Sequence, residues 1–377
     1  MSSLEDLQES LDFISLITKA SLSDMYCSME GDDIESLRDP IADPSHADEE
    51  VNPDFRLSLD VYLACINASQ DTYTRTLDAI WHRYPESQML SYYQVLCRIR
   101  DLSSVVPIAH NMCVKSCMAY TGVFSQLVSC KFCNEPRYMT HAGKPITPDK
   151  FIEDERATYL PRLQYHTIPL GPQIQALFCN PQSAHNMRHC HERTQQILEE
   201  LEANDVDFPS EYNDVYCGQD YLDAVRSGNI HDDSIIVSWS EDGAQLYQSK
   251  KSNAWIGIWT VMDLSPHIRY KKQFILPGFI IPGLNNPQHL DSFVFPSLHH
   301  VGALQNGDLK VWDAHRKALL RKTPYVLYGT ADSVAAADVN GWVGHHGKKG
   351  CRYMCGMNRQ HKPRTPHYFP VLLRLHP

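Results

Sequence analysis

The stretch Ser234-Ile-Ile-Val-Ser-Trp-Ser-Glu-Asp-Gly243 decides how this chain is read. Before it, apolar residues recur at helical spacing. From it onward they come in β-branched and aromatic runs separated by Gly, Asn, Ser and Pro, which is the composition of strands. Trp255-Ile-Gly-Ile-Trp259, Phe274-Ile-Leu276 and Phe279-Ile-Ile281 continue the pattern. A helical stretch over Phe293 to Leu304 follows, then Leu309-Lys-Val-Trp312, a basic helix over His315 to Lys322, and a last run, Tyr325-Val-Leu-Tyr328. Three consecutive strands, a helix and a further strand predict an α/β layer in which the last strand lies beside the first.

That arrangement gives two carboxylates a meaning. The first strand ends in Glu241-Asp242-Gly243 and the last is followed by Asp332. In neighbouring parallel strands, Asp242 and Asp332 converge at one sheet edge, while Glu241 points to the opposite face. Mg2+ or Mn2+ takes such oxygen ligands, and two metals about 4 Å apart clamp the attacking and leaving oxygens of a phosphodiester. Acidic residues after strands are also ordinary turn formers, so these two positions alone leave both readings open.

Upstream, Leu59, Leu63 and Ile66, then Leu77, Ile80, Trp81 and Tyr84, then Tyr92, Val95, Leu96, Ile99 and Leu102 predict three short helices. Pro85 separates the second from the third. Helical spacing returns between Ile174 and Asp207. The resulting partition is an acidic, disordered leader over 1–53 with a short helix from Leu4 to Ala20, and a helical region over 54–110. A zinc-binding module follows over 111–140, then a helical linker region over 141–230 and the α/β core with a Cys/His-rich basic tail over 231–377.

The module is marked by Cys113-x3-Cys117-x12-Cys130-x2-Cys133, two close cysteine pairs bridged by a loop. Zinc takes four soft ligands in a tetrahedron, and a short pair on each of two turns presents them; four cysteines leave no open position, which makes the role structural. Lys115, Lys131 and Arg137 surround the pairs and offer contacts to phosphate. Cys351-x3-Cys355, near His345, His346, His361 and His367, has the ligand types of a second zinc site, with surface histidines in a basic loop as the equal alternative.

Composition bounds the rest. With 377 residues and 43% of them hydrophobic the chain can bury a real core, and no apolar run approaches the roughly 20 residues of a membrane-spanning helix. The N-terminus lacks the basic start and apolar block of a secretory signal, which assigns the 12 cysteines to a reducing compartment. The net charge of −11 hides two unlike halves: residues 243–377 carry 17 Lys and Arg against 6 Asp and Glu, a net of +11, leaving −22 for 1–242. A basic region poor in carboxylates suits a polyanion such as DNA.

Several stretches together resemble CACTA (En/Spm-type) DNA transposases in their fungal form. They are Asn111-Met-Cys-Val-Lys-Ser-Cys-Met-Ala-Tyr-Thr-Gly122, Cys130-Lys-Phe-Cys-Asn-Glu-Pro-Arg-Tyr138, Ile168-Pro-Leu-Gly-Pro-Gln-Ile-Gln-Ala-Leu177 and Ser240-Glu-Asp-Gly-Ala-Gln-Leu-Tyr247. Asn285-Asn-Pro-Gln-His-Leu-Asp-Ser-Phe293, Tyr328-Gly-Thr-Ala-Asp332 and Gly341-Trp-Val-Gly-His-His-Gly-Lys-Lys-Gly-Cys-Arg-Tyr-Met-Cys355 complete the set, in order from about Leu59 onward. The resemblance implies a nuclear cut-and-paste enzyme with an RNase H-like mixed sheet, acting on double-stranded DNA by Mg2+-dependent transesterification. It implies Asp242 and Asp332 as the first two catalytic carboxylates and leaves a homo-oligomer open. The family core needs a third acid from a helix well beyond the second, and Asp338 is too close to serve. The expectation is therefore a truncated, catalytically impaired transposase, with a non-catalytic zinc-containing DNA-binding remnant as the alternative.

Overall fold

The computed structural model describes residues 4–40, 52–151, 159–245, 253–283, 285–331, 347–349 and 358–368. The N-terminal helices are α1 (Leu4–Thr18), α2 (Gly31–Arg38), α3 (Pro53–Ala64), α4 (Gln70–Arg83) and α5 (Tyr92–Ser103). Strands β1 (Ile108–Asn111), β2 (Tyr138–Met139), β3 (Leu160–Pro161) and β4 (Gln164–Thr167) follow. Then come α6 (Leu170–Phe178), α7 (Pro181–Asn186), α8 (His189–Asn204) and α9 (Gln219–Arg226). The last elements are β5 (Ser234–Gln245), β6 (Asn253–Val261), β7 (Ile275–Gly283), α10 (Leu290–Ala303), β8 (Lys310–Asp313), β9 (Ala318–Arg321) and β10 (Thr323–Thr330).

A mixed six-stranded sheet runs in the order β1-β4-β7-β6-β5-β10. All its neighbours are antiparallel except β5 and β10, which are parallel. The last strand does lie beside the first of the late strands. Alternation along β5 sends Ile235, Val237 and Trp239 into a core shared with Trp259, Phe279 and α10, and Ile236 to the other face with Met262, α8 and α9. The two short runs around Pro277 are one strand, β7, with a register shift opposite Gly257 and Ile258. A side chain at Gly257 would strike Phe279 and Trp239, so the aromatic layer requires glycine there.

Three expectations need correction. The stretch His315–Lys322 is not a helix: Asp313 Oδ1 accepts from the amides of His315 (3.0 Å) and Arg316 (2.8 Å), turning β8 back into β9 as a hairpin. The partition at 110/111 and 230/231 does not separate domains, because β1 and β4 extend the same sheet as β5–β7 and α6 packs into the same core. Strands of four residues are too short to show a period in sequence. The leader is not disordered over 4–40. Phe13, Ala20, Leu22 and Leu37 are buried, and Leu37 packs on α6 where Gly171 leaves room. A low average hydropathy concealed a few well-placed apolar residues. Residues 41–51 of that leader lie outside the described residues.

The three expected helices after it are α3, α4 and α5. Ser69 caps α4, Ser91 and Gln94 form a capping box on α5, and Tyr73, Leu77, Met89 and Val95 make a small core of their own.

Burial also sets a pH response. Asp263, just after β6, is fully buried and accepts the Ile236 amide at 2.6 Å; burial pushes its carboxyl up to about 7. The folded chain then keeps a proton that the unfolded chain releases near pH 4, so this contribution to stability is lost as pH rises from about 4 to about 7. His110 and His300 act oppositely: burial holds them neutral down to about 4 and about 3, so their contribution is lost as pH falls below about 6.5. Replacing Asp263 by Asn removes only the opposing group. Denaturant unfolding of Asp263→Asn between pH 4 and 7 should gain stability with pH more steeply than the native chain; equal slopes would mean Asp263 does not titrate in this window.

Candidate metal centre and carboxylate edge

Strand β1 leads directly into two tight cysteine loops. In Cys113-Val-Lys-Ser-Cys117, the Ser116 amide donates to the Cys113 carbonyl at 2.9 Å with Ser116 at φ 60°, and Met112 bridges to Ala119 across the loop. In Cys130-Lys-Phe-Cys133 the Asn134 amide donates to the Cys130 carbonyl at 2.9 Å with Asn134 at φ 58°, and Ser129 bridges to Pro136. Asn tolerates this left-handed conformation well; Ser is the costlier choice.

The two loops face each other. All four sulfurs lie within 4.8 Å of one another, with Cys113 Sγ and Cys133 Sγ 3.4 Å apart. Zinc–sulfur bonds of about 2.3 Å in a tetrahedron require sulfur–sulfur edges of roughly 3.8 Å, so the set can hold a metal ion such as zinc. Burial pushes the Cys117 thiol well up and Cys130 up to about 12. Cys133 is also opposed by burial, but the Glu135 backbone and the neighbouring thiols hold it below its ordinary value. The cluster thus favours thiolate at Cys133 and penalises uncompensated charge at Cys117 and Cys130, the condition that a bound cation relieves. Among the described residues no other group of three or more His, Cys, Asp or Glu gathers in this way.

The basic residues around the cluster are committed inward. Lys115 pairs with Glu135 at 2.9 Å, Lys131 pairs with Glu5 at 2.9 Å and with Glu9 of α1, and Arg137 donates to the carbonyls of Ser125 (2.6 Å) and Leu127 (3.2 Å). All three thus make contacts within the chain, while the Lys115 side chain keeps 55% of its surface exposed.

A second set of bonds ties the module to α10. The His289 amide donates to the Cys117 carbonyl at 2.8 Å, the Gln288 amide to the Ser116 carbonyl at 3.1 Å, and the Ala119 amide to Ser292 Oγ at 2.9 Å. Pro296 inside α10 has no N–H for the Ser292 carbonyl four residues back, and the Thr121 hydroxyl donates to that carbonyl instead. The sequence singled out neither Thr121 nor Ser292. A proline within an apolar helix was the available signal, since it always leaves one carbonyl to be satisfied.

Of the two predicted carboxylates only Asp242 falls among the described residues, at the end of the sheet where β1 leads into the cysteine loops. Asp242 is exposed and lies within β5 rather than after it, paired with Ile256 of β6. Glu241 is buried on the other face, where its Oε2 accepts from Trp239 Nε1 at 3.4 Å. In the parallel pair, Gly329 aligns with Trp239 and Thr330 with Ser240. Asp332 lies outside the described residues, as do Cys351, Cys355, His345 and His346; His361 and His367 are described and exposed. The cysteine loops follow β1, four strands across from β5, a lateral offset of roughly 19 Å at 4.8 Å per strand.

No protein-family model matches the sequence, and no curated protein matches it either.

Proposed function

We propose that this chain is a transposase-like DNA-processing protein of RNase H-like fold. Its cysteine cluster holds structural zinc, and Asp242 and Asp332 ligate Mg2+ or Mn2+ at the end of the β5–β10 pair. The observation that carries the reading is the parallel register: Ser240 aligns with Thr330, and Asp242 and Asp332 each follow two residues later in their chains. Two residues restore the same face of a strand. The order β7-β6-β5-β10, three antiparallel strands and a parallel fourth beyond a helix, also supports it. A divalent cation there would supply Lewis-acid stabilisation of the charge that develops on a phosphodiester. The role of this chain's residues is to orient that cation and, through the basic half, to hold the DNA in the nucleus where such a substrate resides.

A second reading rests on its own observation. The ligand cluster found among the described residues is the set of four cysteines, and a closed structural site of this kind would serve a remnant that binds DNA without cutting it. One titration separates the two. Zinc-loaded chain is mixed with terminal-repeat and random duplexes at about 50 and 200 mM salt, a range over which phosphate contacts weaken binding by orders of magnitude. Mg2+ or Mn2+ is then added. Salt-sensitive binding with cleavage that Asp242→Ala abolishes supports the enzyme; salt-sensitive binding without cleavage supports the remnant. Absence of binding at low salt rejects both.

A further inference from the structure

Strands β8 and β9 form a hairpin inserted between α10 and β10, and its charge is almost all of one sign. Over residues 310–321 it carries Lys310, Arg316, Lys317 and Arg321 against the single carboxylate Asp313. Asp313 is buried and accepts from two amides of the turn, whereas all four cations are exposed.

The register makes this excess costly. Lys310 lies directly across from Arg321, and like charges opposite one another destabilise a sheet. Two residues on, Trp312 and Leu319 form the next pair on the same outward face. Among the described residues no carboxylate lies within 4.0 Å of Lys310, Lys317 or Arg321, and Arg316 reaches Asp313 at 3.9 Å. Helix α2 is close by, since Gln175 Nε2 donates to the carbonyls of both Ser36 and Lys310 at 2.8 Å. Its acids Asp32, Asp33 and Glu35 nevertheless pair with none of the four cations. Arg321 donates to the Gly307 carbonyl, which leaves its charge uncompensated.

The spacing of the cations fits one occupant. Lys310 and Arg321 make one group, and Arg316 and Lys317 make another at the turn. Arg321 is four residues from Lys317, about 14 Å along an extended strand. The major groove of duplex DNA is about 12 Å wide, so each group can meet the phosphates of one rim, with Trp312 and Leu319 over the groove between them. A lipid surface offers no such spacing and takes up a continuous apolar face, whereas here the apolar pair stands between cations.

We propose that the outward face of the β8–β9 hairpin is a phosphate clamp for duplex DNA, holding the two rims of a major groove without reading bases. The clamp rests on the DNA-binding reading above and adds a contact separate from the carboxylate edge. Strand β10 begins at Thr323 opposite Ser234, eight residues and about 26 Å along β5 from Asp242.

Fluorescence anisotropy of a random duplex of about 20 base pairs, titrated with the zinc-loaded chain between about 50 and 200 mM salt, tests this. Each phosphate contact contributes about 0.9 to the slope of log K against log salt. Lys310→Gln/Arg321→Gln should therefore lower the slope by about 1.8, and adding Arg316→Gln/Lys317→Gln should lower it by about 3.6, whatever the duplex sequence. The first variant also relieves the like-charge pair, so it should melt no lower than the native chain, which separates weaker binding from lost folding. Arg56→Gln/Arg75→Gln removes the same charge from exposed positions on α3 and α4 and should leave the slope unchanged. Native binding whose slope survives in the hairpin variants overturns the clamp and leaves DNA binding itself standing, as does an equal loss of slope in the α3/α4 variant. Hairpin variants that lose binding to phosphatidylserine vesicles but not to duplex also overturn it. A native chain that binds no duplex at about 50 mM salt removes the DNA-binding reading and the clamp with it.

Discussion

Cys130→Ser should empty the metal centre and unfold far more than one loop. The native chain is expected to carry one zinc at the four cysteines, and the variant little or none. Structural zinc bound by short peptides is worth roughly 10–16 kcal/mol, comparable to the whole stability of an ordinary domain. Part of that is recovered here because the module also packs apolar side chains, so a loss of about 5 kcal/mol or more is the reasonable scale.

The damage should spread along named bonds. The cysteine loops supply acceptors for the Gln288 and His289 amides, the Ala119 amide engages Ser292, and Thr121 satisfies the carbonyl left open by Pro296. Loss of the module therefore leaves the start of α10 with unpaired buried groups, each costing about 1–3 kcal/mol, and removes the aromatic platform for Phe13 of α1. Hydrogen exchange should show lost protection at 290–296 and in α1, with melting lowered by roughly 10 °C. Cys179→Ser, at an exposed cysteine outside the cluster, is the control and should change neither zinc content nor melting. A Cys130→Ser variant that retained zinc and melted normally would remove the structural role of the cluster.

Strands β5, β6, β7 and β10 were legible in the sequence because each carries short β-branched and aromatic runs bounded by Gly, Asn, Ser or Pro, and the parallel neighbour of β5 followed from the order of elements. The four cysteines were legible because close spacing forces proximity. Other features depend on contacts that no local pattern carries. Strands β1 and β4 have four residues each and join the sheet only through partners far along the chain, His166 with Ile280 for example. Which apolar residues of the acidic leader are buried, Phe13 and Leu37 among them, shows only once Phe295 and Gly171 are placed beside them. The basic helix over His315–Lys322 failed for a related reason: Asp313 gives two amides a nearer acceptor than a helical carbonyl, and charge says nothing about that choice. The pairing of Lys115 with Glu135, and of Lys131 with Glu5 and Glu9, was likewise not carried by any local pattern.

The proposed cation site depends on two carboxylates ninety positions apart acting as one. Asp242 is exposed at the end of the sheet, so Asp242→Ala should leave folding intact and report on the cation alone. If Asp242 and Asp332 share an ion, removing either destroys the same site, and the double variant loses little beyond either single one. Two independent surface acids would instead each contribute a small, additive part. Mn2+ binding to the zinc-loaded chain, followed by the electron paramagnetic resonance signal of free Mn2+, distinguishes these directly. The expected result is one Mn2+ per native chain, lost alike in Asp242→Ala, Asp332→Ala and the double variant. Mn2+ uptake unaffected by either substitution, or additive losses from the two, would contradict a shared site.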